Sequence, residues 1–352
     1  MTHCRNQKYK NRMERTAAFV IIALLLMGCS GKNVLKIAEQ GSFTVGGIIL
    51  KDSLGHTYHG DHAYVFYQKP VGTRKYPLVF AHGVGQFSKT WETTPDGRDG
   101  FQNIFLRKGF SVYLVDQPRR GNAGRGTEKV TITPTFDEEL WFNRFRLGIW
   151  PEFFDGVQFS RTPEALDQFF RQMTPTLGSV DFDVYSDAYA ALFDKIGPTV
   201  FVTHSQGGPV GWQTLLKTKN IKGIVAYEPG GGIPFPEGQM PEEGRVLTLS
   251  NKTEGIEVPT NVFMEYTKVP IVVFYGDNLP DTDERPEIYE WTRRLHLMRC
   301  WAEMLNRLGG DVTVIHLPDV GLRGNTHFPM SDLNNADVAR LMYDWLRDKR
   351  LD

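Results

Sequence analysis

The sequence predicts a doubly wound, mostly parallel α/β sheet with a helical cap insertion. Apolar runs too short for helices, at residues 76–81, 110–115, 199–203, 221–227, 269–275 and 311–317, alternate with longer segments of helical period. Gly85, Asp116 and Ser205 stand just past such runs, at the carboxyl ends of strands where doubly wound sheets hold their sites. The alternation breaks once, at about 127–183, where Phe136, Trp141, Phe142, Phe145, Trp150 and Phe153 begin a crowd of aromatics. A largely helical insertion at that point is expected to roof the site as a cap.

In chain order, Arg5, Lys8, Lys10, Arg12 and Arg15 precede an uninterrupted run of apolar or small residues from Ala17 to Gly28. This is the pattern of a signal peptide, and the run is well short of the roughly 20 residues that cross a bilayer. Leu26-Met27-Gly28-Cys29 resembles a bacterial lipobox. Residues 1–28 are therefore expected to be removed and Cys29 lipidated, with 29–40 as a tether and 41–352 as the folded domain. Cys4 falls in the leader, so only Cys300 remains inside the fold and a disulfide framework is excluded. A net charge of -1 over 352 residues, with no basic stripe, argues against a nucleic-acid partner.

Residues 41–50 and 56–68 alternate apolar with polar about Asp52-Ser-Leu-Gly55, which predicts an antiparallel hairpin opening the sheet. The strand at 76–81 runs into His82-Gly83-Val84-Gly85. A helix over 101–109 and a strand over 110–115 lead to Asp116-Gln-Pro-Arg-Arg, where Arg119 and Arg120 are the expected partners of Asp116. The β-branched run at 199–203 stops at Ser205 and gives way to Gly207 and Gly208. A strand that turns sharply into a helix, leaving a serine hydroxyl exposed above the helix N-terminus, needs small residues beside the serine. Thr203-His-Ser205-Gln-Gly207 keeps the second glycine of a Gly-x-Ser-x-Gly elbow and has threonine at the first. The strand at 221–227 ends in Glu228-Pro-Gly-Gly-Gly, and the one at 269–275 in Gly276-Asp277-Asn278. A glycine-bearing loop after the last strand presents His327. With Ser205 as nucleophile, either Glu228 or Asp277 satisfies the order serine, acid, histidine. Neither a metal-ligand spacing nor a phosphate-binding glycine motif appears, and no cofactor is expected.

Taken together, His82-Gly83, residues 91–98 (Trp-Glu-Thr-Thr-Pro-Asp-Gly-Arg), Phe105-Leu-Arg-Lys-Gly109, Val115-Asp-Gln117, His204-Ser-Gln206, Glu228-Pro-Gly230 and Gly324-Asn-Thr-His327 resemble the α/β hydrolases. More narrowly, they resemble the atypical bacterial esterases typified by the Alcaligenes esterase. The resemblance implies a Ser205 nucleophile, a His327 base and Glu228 as the acid on the sixth strand. By position, the backbone N–H groups of Val84 and Gln206 are the oxyanion donors. One departure is that Val84-Gly85 stands where the type esterase has adjacent cysteines, so no role of that pair carries over. The expected activity is that of an exported serine esterase cleaving a small or lipid-like ester through an acyl-enzyme, tethered to a membrane by its N-terminal lipid. The alternative is a non-catalytic surface lipoprotein that uses the same scaffold for binding.

Overall fold

A computed structural model describes residues 34–248, 252–282 and 284–352. The expected leader, Cys29 and the first part of the tether lie outside the described residues. Residues 34–36 carry no regular structure, and the compact body is Ile37–Asp352. Among the described residues no helix is long and apolar enough to cross a membrane.

The central sheet holds β1 (Ile37–Val45), β2 (Ala63–Pro70), β3 (Leu78–Ala81), β4 (Val112–Asp116), β5 (Thr199–His204), β6 (Ile221–Tyr227), β7 (Pro270–Tyr275) and β8 (Asp311–His316). They lie in the order β1-β2-β4-β3-β5-β6-β7-β8. β2 runs antiparallel to both of its neighbours, and every pairing from β4 across to β8 is parallel. The predicted doubly wound sheet is thus the observed one. β3, β4 and β5 are buried at every residue, because helices cover both faces; such strands carry continuous apolar runs, which made them legible.

Apart from one turn at Thr260–Phe263, the α-helices among the described residues are α1 (Phe101–Arg107), α2 (Glu138–Arg144), α3 (Pro163–Arg171), α4 (Phe182–Ile196), α5 (Gly207–Lys217), α6 (Pro286–Arg307) and α7 (Asn335–Asp348). On one face Tyr189 and Phe193 of α4 pack on Phe201 of β5, while Trp212 of α5 meets Trp301 of α6 with ring centroids 5.0 Å apart. On the other, Trp91 lies against Phe80 of β3 and Phe101 of α1. The run 91–98 also braces the chain's far end. Its Arg98 donates to the carbonyls of Ser331 and Asp332 and to Asn335 Oδ1.

Three expectations need correction. Residues 37–40 are not tether but the start of β1, paired with 68–70 and held by Tyr67 and Lys69, both bonded to Glu39. The expected hairpin is divided: β1 pairs with β2, while Ile48–Lys51 and Thr57–Gly60 form a separate antiparallel ribbon. Gly46 and Gly47, at φ 70° and 80°, break the strand between them. Finally, the stretch 127–183 is less helical than expected, with only α2, α3 and a short ribbon joining Gly148–Ile149 to Glu152–Phe153. Pro151 and Gly156 interrupt it, and α4 already begins at Phe182.

Candidate active site

Register brings the critical strand ends level. Ala81 pairs with Val115 and Thr203, and Tyr227 pairs with both His204 and Phe274. Ser205 and Glu228 therefore leave neighbouring strands at the same height. Each extends the ladder by one bond, Ser205 N–H donating to Tyr227 O (3.0 Å) and Glu228 N–H to Phe274 O (2.8 Å). Both then turn sharply, with φ of 53° and 48°. Left-handed backbone at two non-glycine residues is held only by tight surroundings, and it concentrates at functional sites. At Ser205 the surroundings are Gly208 and Gly230, whose N–H groups both donate to the Ser205 carbonyl. A Cβ on Gly208 would stand 2.6 Å from Pro229 Cβ, so only glycine lets α5 start this close to the Glu228 turn.

Threonine at the first elbow position is accommodated from the helix side. The Thr203 methyl lies 3.0 Å from where a Cβ on Gly211 would be. The space that the elbow glycine normally leaves empty is supplied one turn into α5 instead.

His327 is fully buried in an aromatic box. Phe145 stacks on it at 5.0 Å and 10°, and Trp291 tilts against it at 4.1 Å. Its N–H donates to Phe145 O, and its carbonyl is 2.8 Å from His204 Nε2, so the residue before the serine anchors the histidine loop. His327 Nδ1 is 3.2 Å from Glu228 Oε2, which places the ring proton on Nδ1. Nε2 is buried and has no partner. Burial, then the positive charges of Arg146, Arg294 and Arg144, hold the His327 pKa well below the usual imidazole range, leaving it neutral near pH 7.

Glu228 is itself fully buried. Its Oε1 accepts from Arg146 Nη2 at 2.5 Å and from Gly276 N–H, which fixes the carboxylate toward the histidine. Arg146 is an additional member of the cluster that no sequence signal marked: it comes from the aromatic stretch, 82 residues from its partner. Asp277, the other candidate acid, faces away. Its Oδ1 accepts from Asn278 N–H and its Oδ2 from Gly324 N–H, both at 2.7 Å, so it shapes the loop that carries His327.

Gly83 packs on the serine: a Cβ there would lie 2.8 Å from Ser205 Cβ and 3.3 Å from Oγ. Val84 follows it, and Gln206 caps the start of α5. The two expected donors thus flank Ser205 on separate elements. The expected pairing at Asp116 is not found. Asp116 accepts from Ser88 N–H and from Asn122, Arg119 pairs with Asp61 (2.8 Å) and Glu128 (2.7 Å), and Arg120 bonds neutral groups. The tight turn at Gly121 accounts for this, because it brings the backbone rather than the arginines over the Asp116 carboxylate.

Above the site, Thr174 N–H donates to Gly85 O and Gln86 Nε2 lies 2.9 Å from Met173 Sδ. Ser205 is only 6% exposed.

The sequence profile of the alpha/beta hydrolase family matches residues 78–341. The protein named "Probable secreted lipase phiG", from Fungal sp. (strain ATCC 74256), is 29% identical over 302 residues, covering 78% of this chain and 82% of its own. A bacterial esterase solved at atomic resolution is 30% identical and superposes with a TM-score of 0.71, covering 90% of this chain and 97% of its own.

Proposed function

The chain belongs to the alpha/beta hydrolase family, and from that premise we propose that it hydrolyses carboxylic esters through an acyl-enzyme formed on Ser205. One observation carries the reading: a buried neutral imidazole whose Nδ1 faces Glu228 and whose Nε2 has no partner, packed on His204, the residue before a serine on a strained elbow. In this reading His327 Nε2 takes the Ser205 proton as Oγ attacks the ester carbonyl, and Glu228 stabilises the imidazolium that forms. The Val84 and Gln206 N–H groups hold the oxyanion. His327 then protonates the leaving alcohol, and in the second half-reaction it activates water against the acyl-enzyme.

The stretch 127–183 serves as the cap, its aromatics giving an apolar acyl or alcohol pocket that opens to admit substrate. The positive leader supports export, as does the relative named as secreted, and Cys29 supports a lipid tether.

Labelling with a fluorophosphonate and turnover of matched ester and amide series test the proposal. Ser205→Ala is expected to abolish both labelling and turnover. A folded protein that neither labels nor turns over any ester would instead be a binding lipoprotein built on the scaffold.

A further inference from the structure

Arg120 is fully buried, and among the described residues no carboxylate lies within ion-pair distance of it. Its guanidinium is spent on three neutral acceptors: Gly83 O at 2.6 Å from Nη1, Gln206 Oε1 at 2.7 Å from Nη2, and Thr176 Oγ1 at 2.9 Å from Nε. Gly83 C=O and Val84 N–H are the two ends of one trans peptide and point in opposite directions. A donor that captures the carbonyl on one side therefore aims the N–H to the other, and Arg120, at the shorter distance, shares that carbonyl with His82 Nδ1 at 3.0 Å. Gln206 is the residue whose own N–H stands next to the serine. One planar fork thus grips both flanks of the candidate oxyanion hole, with its spacing fixed by guanidinium geometry.

We propose that Arg120 is the positioning residue of the oxyanion hole: it orients the Gly83–Val84 peptide, ties it to Gln206 at the elbow, and leaves an uncompensated positive charge behind both donors. This rests on the reading of Ser205 as nucleophile and of Val84 and Gln206 as donors. A buried cation without a counter-ion is costly, and a long apolar side chain would fill the same volume without that cost. What the cation adds is directed hydrogen bonding and a field that favours negative charge where the tetrahedral intermediate forms. The third arm, on Thr176, reaches the segment whose Thr174 also bonds Gly85. The same side chain therefore couples the oxyanion loop to the segment above it.

The test compares Arg120→Lys with wild type by ester kinetics, by affinity for an aryl trifluoromethyl ketone, which forms a charged hemiketal on the serine, and by thermal melting. Lysine keeps the charge and loses the fork. The expected result is a fall in kcat of about 10–10³-fold, with KM within about threefold and ketone affinity weakened in parallel, in line with losses of oxyanion donors. A merely structural role would lower the melting temperature while kcat per titrated site stayed within twofold, and that result would overturn the proposal. If Arg120→Lys does not fold, Gln206→Leu releases one arm while keeping the backbone N–H. It should lower kcat about tenfold at constant KM, and an unchanged kcat overturns the proposal equally. Ser205→Ala separates the levels. Retained turnover in that variant removes the nucleophile reading itself, whereas its silence alongside an unaffected Arg120→Lys removes only the role of Arg120.

Discussion

A carboxylate acts on a histidine through which of its oxygens are free, and here the two candidate acids differ in that respect. Glu228 has one oxygen held by Arg146 and Gly276 and the other turned to His327, whereas the two oxygens of Asp277 are occupied by backbone N–H groups, one from Asn278 beside it and one from Gly324 in the His327 loop. An amide at 228 keeps the shape but cannot stabilise an imidazolium, and the same exchange in serine proteases costs on the order of 10⁴ in turnover. Glu228→Gln is accordingly expected to lose about three to four orders of magnitude in kcat on an ester substrate. Asp277→Asn, which forfeits one acceptor, should lower the melting temperature and leave kcat within about tenfold. The opposite ranking in folded variants would move the acid to Asp277.

At the scale of elements, the elbow is a joint between β5 and α5 whose fit is shared by Thr203 and Gly211. Filling the glycine crowds the threonine methyl at 3.0 Å, which must shift. Gly211→Ala should cost about 1–3 kcal/mol as overpacking. Thr203→Ala removes that methyl, and with it a hydroxyl that is buried without a partner. The double variant should therefore recover at least half of the Gly211→Ala loss, a coupling of about 1 kcal/mol in a double-mutant cycle followed by urea denaturation. Strictly additive losses would mean that the two residues do not share the space. A second joint is the brace from Arg98 to residues 331–335. It sits beside Asp332, whose carboxylate accepts from Asn325 and Thr326 just ahead of His327.

Across the whole molecule, acid is the stress to which this architecture is most exposed. Burial is the first cause that pushes His82 down to about 4 and His204 and His327 well below the ordinary value of 6.5. Their unfolded forms take up protons below about pH 6.5 while the folded forms stay neutral, so stability is full above 6.5 and declines as pH falls toward 4. Asp332 works in the opposite sense. Burial raises it from 3.8 to about 7, so the stability it contributes is present at low pH and lost as pH rises through 7. Three histidines outweigh one carboxyl, and the melting temperature is expected to drop between pH 7.5 and 5. Asp332→Asn removes the compensating group and should make that drop larger. A flat or rising melting temperature on acidification, or a smaller drop in the variant, would contradict the assignment.

Much of this was legible in the chain before any coordinates. Strands covered on both faces must be apolar without interruption, and a sharp strand-to-helix turn must have glycine at Gly207 and Gly208, so β3 to β7 and the elbow could be read locally. Ser205, Glu228 and His327 stood out as candidates by their places at strand ends and by the family resemblance. The opening hairpin was read only in part, because alternation marks strands without saying where two glycines divide them between sheets. Long charged side chains were not legible at all. Arg119 was expected at Asp116 and is found on Asp61, 58 residues away, and Arg146 reaches Glu228 across 82 residues. Local patterning determined which segments are strand, helix and turn, since backbone hydrogen bonding and burial act over a few residues. Strand ends left Glu228 and Asp277 both open and only the family resemblance favoured Glu228; which of them faces the histidine, and which cations stand behind it, is decided by tertiary structure, because those groups meet only through space once the sheet has closed.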